Sequence, residues 1–94
     1  AIGLFERALR IKQRDFGLDH REVATTLGNL GGSFRSLGEY ERAVEFLEKS
    51  LKILVREFGP DHRETAATMT NLGGAYFSLW NAARAIPFLS ELLP

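Results

Sequence analysis

Apolar residues recur along this chain at helical spacing, in runs broken by glycine. Ala24, Leu27, Leu30, Phe34 and Leu37 fall three or four apart, the spacing of one face of an α-helix. Ala66, Met69, Leu72, Tyr76 and Leu79 repeat the pattern. A second kind of run, from Tyr40 to Glu57, places Ala43, Leu47, Ser50, Leu51 and Leu54 on one side, and Phe46 and Ile53 widen that face. A helix that is apolar round most of its girth packs on several sides. Gly38-Glu39 breaks the pattern as a turn should. Phe58-Gly59-Pro60 then closes the second helix, with glycine at the cap and proline just after. Asp19 has Glu22 three residues on, and Asp61 has Glu64; both pairs resemble capping boxes at helix starts.

These elements repeat. Phe16-Gly17 returns as Phe58-Gly59, and 58 minus 16 is 42. Asp19-His20-Arg21-Glu22 returns as Asp61-His62-Arg63-Glu64 at the same offset, and Asn29-Leu30-Gly31-Gly32 as Asn71-Leu72-Gly73-Gly74. A period of roughly 20–50 residues means a solenoid or array. Ala1 to Asp15 matches Ala43 to Glu57, so it reads as the second helix of a preceding unit. Residues 20–57 form one full unit and residues 62–94 another. The expected fold is all-α: an α–α superhelix of about five antiparallel helices in a single array over residues 1–94.

On these residues the chain resembles a tetratricopeptide repeat array of the long-period type found in kinesin light chains and related scaffold proteins. The resemblance rests on Leu30-Gly31 and Phe34, on Gly38 and Tyr40 at the turn, and on Ala43, Leu47 and Ser50. In the second copy it rests on Leu72-Gly73, Tyr76, Ala85, Leu89 and Leu92. The linker Phe58-Gly59-Pro60-Asp61-His62 fits the same subtype. There are departures. Trp80 stands at the turn glycine of the second copy, and Ala82 at the turn tyrosine. Pro87 falls early in the last helix, where a bend is expected.

Composition narrows the function. Twelve basic and twelve acidic residues give a formal net charge of zero. A nucleic-acid binder relying on bulk charge would need a clustered basic excess. No apolar run approaches the ~20 residues that cross a bilayer as a helix. The chain has no cysteine, hence no disulfide framework and no thiol nucleophile. With Ala1 as its first residue, it reads as a segment of a longer, cytoplasmic protein. His20 and His62 lie a whole repeat apart, without the spacing of a zinc site, and suit linker packing. Gly28-Asn29-Leu30-Gly31-Gly32 lies mid-helix with no lysine after it, unlike a phosphate loop. Asp61 and Glu64 fit capping rather than acid–base chemistry. No cofactor, metal or enzymatic activity is expected.

A second stripe on the first helices carries the functional expectation. At about 100° per residue, Thr25, Asn29, Gly32 and Ser36 cluster roughly opposite the Leu27–Leu30–Phe34 face. The second copy supplies Ala67, Asn71, Gly74 and Ser78, with Thr70 beside them. An ordinary solvated face would be rich in lysine and glutamate; this one is small, polar and uncharged. Glycine inside a helix costs roughly 1 kcal/mol against alanine. Gly31 points near the core and would let a neighbouring helix approach, while Gly32 points away and suits a groove floor. The resemblance implies that the first helices line a concave surface, where Asn29 and Asn71 match asparagines that bond the backbone of a bound peptide. Arg35 and Phe77 would flank that groove with one cation and one ring. The expected function is a non-catalytic scaffold that holds a short peptide or helix of a partner protein. The alternative is self-association as a homodimer, through apolar ends around Leu4, Phe5, Phe88, Leu89, Leu92 and Leu93.

Overall fold

A computed structural model describes the backbone of residues 2–92 and the side chains of residues 2–83. The described residues form four helices: α1 (Ile2–Phe16), α2 (Arg21–Ser36), α3 (Tyr40–Phe58) and α4 (Arg63–Leu92). The first three boundaries follow the sequence reading closely. Gly38 has φ of +81°, a left-handed backbone that glycine adopts at no steric cost. It stops α2 and turns the chain into α3.

The starts of α2 and α4 differ from expectation in the residue that caps them. The N-cap of α2 is His20, not Asp19, and its ring Nδ1 accepts a hydrogen bond from the Glu22 backbone N–H at 3.0 Å. His62 does the same for Glu64 at 3.1 Å. Each imidazole also stacks on the phenylalanine that ends the preceding helix, with centroids 4.6 Å apart for Phe16–His20 and 4.4 Å for Phe58–His62. The stack holds the ring where it can cap, so aspartate is not needed there. Both histidines therefore join linker packing to helix capping.

α2 and α3 form an antiparallel pair. Ser50 Oγ donates to the Ala24 carbonyl at 2.7 Å, while Leu47 and Ala43 lie against Gly31, so contacts run in opposite order along the two helices. The serine in the core is thereby satisfied. The approach at Gly31 is close: a methyl group there would lie 2.5 Å from Leu47 Cγ and 3.3 Å from the Ala43 carbonyl oxygen. Leu30, Phe34, Ala43, Leu47, Leu72 and Ala75 form one core cluster, and Val23, Ala24, Leu27, Ile53 and Leu54 form another. Phe46 borders both and stacks on Phe34 at 5.4 Å. Burying a leucine or phenylalanine side chain fully is worth about 1.5–3 kcal/mol, so these clusters hold the pair together.

α1 is tied on by less. None of its residues is fully buried, though Ile2, Phe5 and Leu9 pack against the core. Lys12 Nζ donates to Glu22 Oε2 at 2.7 Å and bridges α1 to α2. That bond is the first cause holding the Glu22 carboxyl below its usual range, with the charge of Lys12 next. A depressed carboxylate pKa stabilises the fold above the unfolded-state value and loses that contribution as pH falls through the folded value. Lys12→Met is expected to raise the Glu22 pKa toward that of a free glutamate, measured by carboxyl-carbon NMR titration. An unchanged Glu22 titration would mean the bond is not formed in solution.

The second copy departs from the first. The expected break near residue 80 is absent: α4 runs unbroken from Arg63 to Leu92, so the described residues hold four helices where five were expected. The physical reason is the residue at the turn. Trp80 stands where Gly38 stands in the first copy, and among the described residues only glycines take positive φ. Asn81-Ala82-Ala83 follows, and alanine is the best helix former. Without a glycine at the turn position, the helix continues.

This changes what is buried on α4. Ala66, Met69 and Tyr76 were expected in the core but are exposed; Met69 is 43% exposed, against 5% for its counterpart Leu27. Among the described side chains of α4 the buried residues are Thr65, Thr68, Leu72 and Ala75, and that face meets α3. Leu37 is also exposed rather than buried, at 65%, because it lies past the end of α2. The bend expected at Pro87 lies outside the described side chains.

Candidate functional site

The small polar stripe reaches the surface between α2 and α4. Thr25 and Asn29 of α2 and Asn71 of α4 line one cleft of about 150 Å³. Gly28, Ala67 and Thr68 narrow its walls, Ser50 and Leu54 of α3 lie at its base, and Glu64 stands at the α4 N-terminal end. Both asparagines are exposed. The first helices are brought side by side because each packs on α3, α2 through Ala24 and Gly31 and α4 through Thr65 and Leu72.

The hydroxyl groups of this cleft are already engaged. Thr25 Oγ1 donates to the Arg21 carbonyl at 3.2 Å, Thr68 Oγ1 to the Glu64 carbonyl at 3.1 Å, and Ser50 Oγ to Ala24. Asn29 and Asn71 make no side-chain hydrogen bond among the described residues. Each amide therefore keeps two donors and an acceptor for a ligand. The Glu64 carboxylate pairs with no described cation.

Further along the stripe, Arg35 crosses from α2 to α4. A methyl group at Gly74 would lie 2.5 Å from Arg35 Nη2, so Gly74 makes room for the guanidinium. Arg35 forms no ion pair among the described residues. Glu64 and Gly74 are ten residues apart, about 15 Å along a helix. The cleft thus carries the Glu64 carboxylate and two amides, while Arg35, Gly32 and Gly74 lie outside its lining, with Arg35 against Gly74. Repeats of the kind that supply a first helix of this composition in tandem identify the chain: the tetratricopeptide repeat family model matches residues 1–54 and again residues 22–94.

The chain belongs to the tetratricopeptide repeat family. Tetratricopeptide repeats mediate protein–protein interaction, and the family is typically a non-catalytic scaffold. A comparison with curated proteins found no match. In this tetratricopeptide array no helix among the described residues is long and apolar enough to cross a membrane.

The remaining stripe residues are placed as follows. Gly32 faces open space, with nothing within 4 Å of an added methyl. Ser36 and Thr70 are exposed, but their hydroxyls donate to the Gly32 and Ala66 carbonyls, both at 3.1 Å. Phe77 is exposed and lies 6.2 Å from the Trp80 ring. Ser78 is half-buried. Neither Ser36, Thr70, Phe77 nor Ser78 lines the cleft that holds the two asparagines. Of the apolar ends, Leu4 is exposed and Phe5 packs inward; Phe88, Leu89, Leu92 and Leu93 lie outside the described side chains.

Sequence reasoning missed Glu64 and Thr68 as groove residues. Glu64 was explained by capping, and its backbone N–H is indeed capped by His62, which leaves its carboxylate open to the cleft. Its spacing carried the signal: Glu64, Thr68 and Asn71 stand at i, i+4 and i+7, one helical face.

Proposed function

We propose that the groove between α2 and α4 holds an extended segment of a partner protein, read mainly through its backbone. The observation that carries this reading is the pair of unengaged amides in a cleft whose hydroxyls are all engaged. An amide both donates and accepts, as a peptide backbone does. The narrow cleft suits main chain rather than a bulky side chain. Arg35 and Glu64 give the groove a direction. An extended segment advances about 3.3 Å per residue, so the ~15 Å between these charges spans four to five ligand residues. A carboxylate near Arg35 and a cation near Glu64 would be favoured. Phe77 adds a ring beyond Arg35 for an apolar ligand residue. A long-period, kinesin-light-chain-like array in the cytoplasm fits the linker sequence and the absence of cysteine, and a two-repeat groove alone would bind weakly.

The test uses peptides selected from a random displayed library against the purified chain. Asn29→Ala with Asn71→Ala removes two backbone-reading groups, each bond being worth roughly 1 kcal/mol net. Affinity for the selected peptides is expected to fall about thirty-fold by titration calorimetry, with helicity unchanged by circular dichroism. Full affinity in a folded double variant would rule out the asparagines as the reading groups. Loss of preference for acidic ligands in Arg35→Gln would locate the cationic end.

A further inference from the structure

A second cavity, of about 290 Å³, opens on the side of α2 away from the asparagine cleft. Its floor is Leu9 of α1, Leu27 of α2, and Phe46 and Ile53 of α3. Leu27 and Ile53 are buried and the other two half-buried. On α2, Leu27 stands about 200° round the helix from both Thr25 and Asn29, and the two cavities share no lining residue. Apart from the Gln13 amide, the uncharged lining is hydrocarbon. A peptide backbone would leave its amides unpaired on such a floor, so the cavity suits an apolar body.

The rim is cationic. Lys49, Lys52 and Arg56 stand at i, i+3 and i+7 on α3, one helical face. Asp19 is the acidic residue of the lining, and Arg56 holds it, with 3.4 Å between Nη2 and Oδ2. The acidic residues of the first half of α3, Glu41, Glu45 and Glu48, lie outside the lining. Lys49 meets Glu45 at 3.5 Å in an exposed bridge, a weak kind of contact. Lys52 forms no ion pair among the described residues. The helix dipole accounts for Arg56, which lies in the last turn of α3. It does not account for Lys49 and Lys52, because that effect fades beyond the last turn.

The same wall recurs on α1. Phe46, Lys49, Lys52, Ile53 and Arg56 correspond, 42 positions back, to Leu4, Arg7, Arg10, Ile11 and Arg14. Three of these five pairs differ in identity, yet every position keeps its character, apolar or cationic. Solubility alone would be served by either sign of charge. We infer that the cavity binds a small amphipathic carboxylate, with its hydrocarbon tail on the apolar floor and its carboxylate beside Lys49 and Lys52. Ligand pockets hold about 300–1,000 Å³, and this one stands at the small end. Its ligand is therefore the size of a medium-chain fatty acid rather than of a nucleotide. The inference goes beyond partner binding and does not rest on the asparagine cleft.

Octanoate is the probe, added below its micellar concentration and followed by two-dimensional methyl NMR of the intact chain. The methyl signals of Leu9, Leu27 and Ile53 are expected to shift saturably, and added salt to weaken binding. Octylammonium has the same tail and the opposite charge, and is expected to cause no saturable shift. Lys49→Gln with Lys52→Gln changes two exposed residues. That variant should keep its helicity and bind octanoate about ten-fold more weakly. Asn29→Ala with Asn71→Ala should leave octanoate binding unchanged, which separates this site from the peptide groove. Equal binding of octylammonium, full affinity in the lysine variant, or methyl signals unmoved by octanoate would each overturn the inference. So would an acidic, leucine-bearing peptide that shifts these methyls where octanoate does not, since the occupant would then be a protein segment.

Discussion

Leu30→Ala is expected to destabilise the chain by about 2–5 kcal/mol, the range for truncating a fully buried leucine. Leu30 is completely buried in the cluster that joins α2 to α3 and to Leu72 and Ala75 of α4. Ile2, Phe5 and Leu9 of α1 pack against the same cluster. A cavity there is bounded by four helices at once and cannot close by the shift of one. Small domains have total stabilities of about 5–15 kcal/mol, so the loss is a large share. Leu37→Ala supplies the contrast. That leucine is mostly exposed, and surface changes of this kind fall within about 0.5 kcal/mol. Urea denaturation of both variants checks the pair. Equal effects would mean that the stripe does not end where α2 ends.

Gly31→Ala and Gly73→Ala should have opposite signs, although the two glycines are repeats of one another. Added bulk at Gly31 meets Leu47 at 2.5 Å and backbone at 3.3 Å. Overpacking of this kind costs about 1–3 kcal/mol, more than the roughly 1 kcal/mol that alanine returns as a better helix former. Gly73 has open space around it, so only the helix-propensity gain remains. Gly73→Ala should therefore stabilise the chain by up to about 1 kcal/mol. Thermal melts of the two variants check the pair. Destabilisation by Gly73→Ala would mean that Gly73 is covered.

Much of the fold was legible from spacing alone. The face Ala24–Leu27–Leu30–Phe34 is buried as its period requires, and the turn at Gly38 has the left-handed backbone that its glycine allows. Two features were not legible. The cap is His20 rather than Asp19, because a ring stacked on Phe16 can present Nδ1 to the Glu22 N–H, and stacking leaves no spacing signature. The burial of α4 was read by analogy with α2, yet α4 has only one of the two neighbours that α2 has. The substitution of Trp80 for glycine was visible in the sequence. Its consequence, an unbroken helix and an exposed Met69 and Gly73, follows from the backbone conformation that tryptophan avoids.

The candidate site was legible in part for a related reason. Asn29, Asn71 and Thr25 share a cleft because they sit at equivalent positions on two helices packed on α3. Ser36, Thr70, Phe77 and Ser78 belong to the same two helices but lie outside that cleft. Helical angle predicts a stripe; which stretch of it faces a neighbour depends on how the helices cross.

The most direct measurement is a two-dimensional amide NMR spectrum recorded while a library-selected peptide is added. The account predicts that the side-chain NH₂ signals of Asn29 and Asn71 shift first and together, with Arg35 Nε following. Shifts confined to α1 or to the outer side of α3, with both asparagine signals unmoved, would contradict it.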